Sequence, residues 1–410
     1  MLLVGDFIPK NMGVRLPEEF RRQKVLANLE GPICACGLSQ SNKVGVCLHT
    51  SRELFDSSEC SIVRLEGGGE APRFAFSLAN NHMMDFREEG LRQTKEVLDA
   101  HGIPYSGAGE NEEDARKPMF LEENGKRIAI FSCCERQFGM ATKDKAGCAA
   151  KGPWLYTAIQ NVKSSRQADY VIVSCHAASE YSPWVSPSLH EFYHSLIDAG
   201  ADCIHGHHAH VPQGYEEYKG KPIFYGLGNF VVKVSDWGSY RHYLWSMVAT
   251  VDFAEKVSWK VVPYSVKEDV SEIVLAPCGD VEVTEYIKLV NVSFSDRVLL
   301  EGCWQAASCR LFPRLYAQSL RMPSVMASRL SIRDRVRKVY FAIGDLVRAV
   351  WGYEKITAKS LHYGKVYYNM FNCESHVEMI QTALGVSTGI LDDYRTQTVL
   401  EMTERLMKGF

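Results

Sequence analysis

No basic leader opens this 410-residue chain: Met1 runs straight into LLVGDF, so no secretory signal is expected at this end. No apolar run reaches the roughly 20 residues needed to span a bilayer. The best candidate, Val339 to Trp351, is interrupted by Asp345 and Arg348. The 13 cysteines include no repeated CxxC pair. Several, such as Cys175 and Cys203, lie inside apolar runs, which reads as reduced, buried thiols rather than a disulfide framework. These absences predict a cytoplasmic protein. Excess charge is also lacking: 46 basic against 49 acidic residues leave −3, too little for a nucleic-acid binder that works through its overall field. There is no internal repeat and no low-complexity tract. With 46% hydrophobic and 23% charged residues, disorder and collagen-like structure are excluded. The length allows about two or three domains.

What the chain has in excess is histidine in one place. Seven of its 13 histidines fall between positions 176 and 210, which points to metal chemistry. Short apolar runs end abruptly in polar residues: Met1–Val4 at Gly5-Asp6, Lys24–Ala27 at Asn28-Leu29-Glu30, Phe74–Leu78 at Asn80-Asn81-His82, Tyr170–Ser174 at Cys175-His176, and Ala201–Ile204 at HGHH. Such runs read as buried strands. Between them, Arg87–His101 spaces Leu91, Thr94, Val97 and Leu98 at helical intervals. Ser188–Gly200 does the same with Leu189, Phe192, Leu196 and Ile197, and Gly200 suits a helix end. Strands alternating with helices predict an α/β protein, in which ligands gather at the carboxyl ends of strands. Each polar cluster sits at such an end. The last third differs: from Arg310 to Arg348 nine basic residues oppose two acids, a net +7 that leaves −10 for the rest. It reads as mainly helical, with a boundary near residue 300, giving units at 1–300 and 301–410.

As a ligand set, Asp6 and Glu30 offer carboxylates, Asn81 an amide oxygen, and His176, His208 and His210 imidazoles. That mixture suits one or two divalent ions such as Mn, Fe or Zn. A bridging carboxylate holds two such ions about 3.5–4 Å apart in hydrolases that clamp a phosphoryl group. A histidine outside the ligand set then protonates the leaving group; His82 is placed for this, with Asp85 near enough to orient it. Singly, Asp6 reads more readily as a turn or cap residue, Glu30 as a surface carboxylate and His176 as a structural histidine, and Asn81 fits a turn. The HGHHAH run at 205–210 is the strong member of the set.

These residues carry a family resemblance. GDF at 5–7, NLEGP at 28–32, SLANNHMMDF at 77–86, GIPYSGAG at 102–109, CHAASEY at 175–181, IDAGADCIHGHHAHVPQG at 197–214 and GKPIFYGLGNF at 220–230 resemble the CapA family, associated with bacterial poly-gamma-glutamate and capsule biosynthesis. That family is similar in turn to the calcineurin-like metallophosphatases. The resemblance covers roughly residues 1–300. It implies a four-layer α/β sandwich, two central sheets flanked by helices, with a mainly helical C-terminal region added here. It implies Asp6 on one metal, Glu30 as the bridging carboxylate, Asn81 on the second metal, His82 as the acid, and His176, His208 and His210 as further ligands. His207 then lies behind the ligands or substitutes for one. Glu180 and Asn229 support the site, although Asn229 equally fits a turn. The implied activity is metal-dependent hydrolysis of a phosphoester or gamma-glutamyl bond during synthesis of a capsule or other envelope polymer. An anionic polymer or phosphoester is the substrate, and capsule-synthesis proteins are the partners. The competing reading is a non-catalytic polymer-binding or assembly subunit.

Three departures stand out. Ile8 occupies the position where related phosphatases have a histidine, Ala177-Ala178 replaces an aromatic-glycine pair, and Ile33–Arg73 diverges enough to form a lid or specificity loop. Basic and apolar residues at 329–351 suit a peripheral contact with anionic lipid. Two motifs are set aside. HEFYH at 190–194 matches the HExxH of zinc peptidases, but the sequence names no third ligand and the helix reads as a packing helix. EGGGE at 66–70 lacks the lysine and setting of a phosphate loop.

Overall fold

The apolar runs become two sheets because both faces of each are covered. The computed structural model describes residues 1–56, 63–65, 72–237, 240–269, 271–317, 319–320 and 358–409. The EGGGE segment, most of the basic stretch and the lipid-contact candidate at 329–351 lie outside the described residues. One sheet of ten strands runs in the order Val63–Leu65, Gly13–Leu16, Glu272–Pro277, Val257–Asp269, Trp245–Phe253, Leu2–Ile8, Lys24–Leu29, Arg73–Ser77 and Tyr105–Ser106, with Asn229–Val232 paired to the end of Leu2–Ile8. A six-stranded sheet runs Met119–Glu123, Lys126–Cys134, Tyr170–His176, Cys203–His207, Lys221–Leu227 and Pro212–Tyr218.

Side chains alternate across each strand. Leu3, Ile130, Ile172 and Met247 meet between the sheets. Leu2 and Val4 face outward with Leu91, Val97 and Leu98 of the helix Arg87–Ala100. Val171 and Val173 face outward onto the helices Trp154–Ser164 and Pro187–Asp198. The result is the expected helix–sheet–sheet–helix sandwich. One register differs from the sequence reading: on Pro187–Asp198 the fully buried aromatic is Tyr193, with Phe192 only partly covered.

The sheets approach closely at the site end. A Cβ on Gly5 would lie 1.7 Å from the Gly228 carbonyl oxygen, so the glycine of GDF is a demand of backbone contact. His205 is the strut across the gap: its Nε2–H donates to the Val4 carbonyl at 2.8 Å, while Nδ1 lies 3.4 Å from Ser174 Oγ. Burial holds its pKa well below the usual value, so it is a neutral structural ring.

The C-terminal helices join the same core. Helix Arg297–Leu315 crosses residue 300 and is capped by Asp296, whose carboxylate accepts the Leu299 N–H at 2.9 Å. Its Trp304 and Phe312 share the inter-sheet core with Met379 of helix Glu374–Thr388 and Val399 of helix Gln397–Leu406. Trp184, fully buried, donates from Nε1 to Thr403 Oγ1 at 2.9 Å. Thr403→Val leaves that N–H without an acceptor and should cost about 1–3 kcal/mol in a denaturant titration. Among the described residues, no helix is long and apolar enough to cross a membrane.

Candidate metal centre

Strand register sets the centre. Asp6 lies opposite both Asn28 and Asn229 on its two neighbours, and His176 opposite His207. The ends of the two sheets therefore present these side chains to one another. Asn28 Nδ2 donates to Asp6 Oδ1 at 2.8 Å and lies 3.1 Å from His176 Nδ1. Asn80 Nδ2 in turn donates to Asn28 Oδ1 at 3.1 Å and to the Leu29 carbonyl at 2.8 Å. This buried chain of amides fixes the His176 ring with Nε2 toward the centre, 3.0 Å from Asn81 Oδ1 and 3.8 Å from Glu30 Oε1.

The histidine-rich loop closes the other side. His208 and His210 adopt left-handed backbone, φ +92° and +59°, a conformation that costs energy for non-glycine residues and persists where surroundings demand it. It turns both rings inward. His210 Nδ1 is 3.0 Å from Asn229 Oδ1 and 3.4 Å from Asp6 Oδ2, and its Nε2 is 3.7 Å from Glu30 Oε1. His207 Nδ1 is 3.4 Å from Asp6 Oδ1. Ligand atoms of Glu30, His208 and His210 lie within 4.8 Å of one another. Both oxygens of Glu30, both ring nitrogens of His208 and Nδ1 of His207 are buried without a hydrogen-bond partner. Buried polar atoms normally have partners, and a divalent cation would satisfy these. The donor set fits one.

The electrostatics point the same way. Burial pushes the Glu30 carboxyl up to about 8. Burial also raises Asp6, but the adjacent His207 and His210 rings outweigh it and hold that carboxyl well below its usual range. Against burial, Glu30 and Asp6 lift His210 to about 10. The centre retains protons where a divalent ion would displace them.

Beside the ligands, His82 Nδ1 is 2.6 Å from Asp85 Oδ2, and its Nε2 points inward, 3.9 Å from Glu30 Oε1. Asp85 is fully buried, accepts the Leu48 N–H at 2.7 Å and pairs with Lys43. Burial, then the Lys43 charge, lowers the His82 pKa. Lys43 belongs to the divergent segment 33–73, which thus reaches the centre.

The centre opens into a cleft of 520 Å³ lined by Lys10, Lys43, Lys233, Asn81, His82, Glu180, His210 and His376. Ile8 also lines it and offers no ligand atom. A second cleft of 560 Å³ shares Lys43, Gln137, Phe138 and Asn369 with the first and adds Arg136, Lys145 and Lys365; among the described residues no acidic side chain lines it.

Asp6, Glu30, Asn81, His82, His176, His207, His208, His210, Glu180 and Asn229 thus converge, with Asp85 directly behind His82. Several participants escaped the sequence reading. Asn28 and Asn80 stand among the polar residues that stop the apolar runs, and the sequence assigns them no role. Glu135, whose Oε1 is 3.4 Å from His208 Nε2, ends the strand Lys126–Cys134 and obeys the strand-end rule that found the others. Its Oε1 also accepts from Ser375 Oγ at 2.7 Å and Cys373 Sγ at 3.0 Å, so the C-terminal helices touch the centre. Nothing local marks Lys43 or His376.

A model of the family described as bacterial capsule synthesis protein PGA_cap matches residues 18–234, more than half of the chain. Capsule biosynthesis protein CapA of Bacillus anthracis is 36% identical over 167 residues, 40% of this chain and 41% of that protein. PGA biosynthesis protein CapA of Bacillus subtilis is 33% identical over 156 residues, 37% of this chain and 41% of that protein. The chain thus spans about two fifths of the length of these relatives. Among solved structures, a phosphatase from Mycoplasma pneumoniae aligns with a TM-score of 0.38 at 14% identity, covering 64% of this chain and 92% of that one. The NAD nucleotidase of Haemophilus influenzae aligns at 0.31 and 14% identity, covering 52% and 45%.

Proposed function

Because the chain belongs to the PGA_cap family of bacterial capsule synthesis proteins, we propose that it is a metal-dependent hydrolase acting on an anionic envelope polymer or its phosphoester precursor, alongside capsule-synthesis proteins. One observation carries this reading: the buried, unpartnered carboxylate of Glu30 facing His176, His208 and His210 at the floor of a lysine-rimmed cleft. Asp6, Glu30, Asn81, His176, His208 and His210 would hold one or two ions of the Mn, Fe or Zn class. When bound, such an ion supplies Lewis-acid polarisation of a phosphoryl or carbonyl oxygen and lowers the pKa of water. The chain's own residues do the rest. Lys10, Lys43 and Lys233 attract and orient the anion, Asp85 holds the His82 ring, and His82 Nε2 hands a proton to the leaving group. Asn28, Asn80 and Asn229 fix the ligands' orientation, which a site of this kind needs.

The test is manganese-stimulated hydrolysis of a phosphodiester and of polyglutamate, with elemental analysis of the same samples. His82→Ala should retain its metal and lose about 100-fold in kcat. A metal-loaded His82→Ala enzyme with an unchanged rate would remove the acid role.

The second, acid-free cleft supports the polymer as substrate over a small ester, since it extends the first with Arg136, Lys145 and Lys365. Lys365→Glu should raise KM for polyglutamate several-fold and leave KM for the small ester unchanged. Ile8 favours one alternative, a polymer-binding subunit without catalysis. That reading predicts salt-sensitive polymer binding, unaltered in His82→Ala, with no turnover.

A further inference from the structure

A second group of ligand-type side chains lies outside the cleft. His190 and His194 stand one turn apart on helix Pro187–Asp198, and Glu216 reaches them from strand Pro212–Tyr218. The two Nε2 atoms are 3.2 and 2.6 Å from the same oxygen, Glu216 Oε1. One ligand atom from each residue lies within 4.8 Å of the other two. This supplies the third ligand that the HExxH spacing lacked in the sequence.

The group is built rather than incidental. His190 stacks on Tyr225 at 5.8 Å and 8° and on Phe294 at 6.1 Å and 13°, and His194 on Tyr218 at 3.7 Å and 19°. Aromatic seats therefore fix both rings, whose centroids are only 4.0 Å apart. Tyr225 Oη–H donates to Glu216 Oε1 at 2.6 Å, orienting the carboxylate from behind as outer partners do in metal sites. Three donors on that one oxygen would exceed its two lone pairs. Two imidazole lone pairs and a carboxylate sharing a cation would not.

We infer that His190, His194 and Glu216 form a second metal site, for one transition-metal dication of the zinc class, which clips helix Pro187–Asp198 to the strand that follows the histidine loop. Two histidines and a carboxylate are a familiar zinc donor set. A 300 Å³ cleft also lined by Ser195 and Asp198 gives the remaining coordination position access to water. The site is structural and not that of a peptidase: Glu191, the base in an HExxH enzyme, lines the same cleft but is engaged in an ion pair with Arg297 at 2.6 Å.

The test uses the full chain, zinc and cobalt(II). Wild-type protein equilibrated with zinc and desalted should carry one more equivalent than H190A/H194A. Glu216→Gln should weaken that equivalent by about tenfold or more. Cobalt(II) should give a visible ligand-field band that survives in H208A/H210A, where the central cleft is disabled, and disappears when H190A/H194A is added. Zinc should raise the melting temperature of H208A/H210A by the same route. Equal zinc content in folded wild type and H190A/H194A would overturn the site while leaving the central reading untouched. If the double variant fails to fold, His194→Gln decides by the same measurement.

Discussion

Glu30→Gln should abolish metal-dependent hydrolysis and cost the central cleft its ion, a loss beyond the 10- to 100-fold in affinity typical for a residue merely supporting a ligand (on the order of these values). Among the described residues, Glu30 is the one carboxylate that faces His82, His176 and His210 together, at 3.9, 3.8 and 3.7 Å, and neither of its oxygens has a hydrogen-bond partner. The same substitution should have the opposite effect on the metal-stripped protein. Without metal, burial keeps Glu30 protonated up to about pH 8, a proton uptake that costs the fold near neutral pH, and glutamine removes that cost. Stripped Glu30→Gln should therefore be more stable than stripped wild type by about 1–3 kcal/mol, while metal-loaded wild type exceeds both. The measurement is a denaturant titration of each protein with and without chelator. If the variant is less stable in both conditions, Glu30 is a structural residue and the metal reading falls with it.

The strand ends made most of this centre legible in advance. A buried strand flanked on both faces by other layers leaves a continuous apolar run in the sequence, and the polar residue that stops the run marks its carboxyl end. Asp6, Glu30, His176 and the HGHHAH loop all follow that logic, and the register of the two sheets brings them together. What stayed hidden depends on contacts between distant segments. Glu135 obeyed the same rule but lacked a histidine neighbour to draw notice. Lys43 enters through a long irregular segment, and His376 through a helix, 166 residues beyond the end of the histidine-rich run. Nothing in the histidine-rich run sets His205 apart from its neighbours, because its role is fixed by the Val4 carbonyl of the other sheet. Glu216 is invisible to a motif that looks only within a helix, since strand pairing carries it across to His190 and His194. On Pro187–Asp198, helical periodicity alone did not separate Phe192 from Tyr193; the packing of Tyr193 against Tyr225 at 5.4 Å does.

The C-terminal helices offer the second large effect. Trp304 is 2% exposed, donates from Nε1 to Thr382 Oγ1 at 3.0 Å, and belongs to the same core as Leu3, Ile172 and Met247 of the two sheets. Trp304→Ala should cost about 3–5 kcal/mol, the usual penalty for emptying so large a buried volume. Because that core is shared, the sheets and the helices should melt in one transition, displaced as a whole in the variant. Two separate transitions, with only the smaller one displaced, would instead make residues 301–410 an independent unit. The loss should also reach the centre. Trp304 anchors helix Glu374–Thr388 through Thr382, and the first turn of that helix supplies Ser375 to Glu135, which faces His208. Under conditions where Trp304→Ala remains folded, its metal affinity should fall while that of Thr403→Val, which loosens a different helix, changes less. Metal affinity that is identical in both variants would mean that Glu135 holds His208 without help from the C-terminal region.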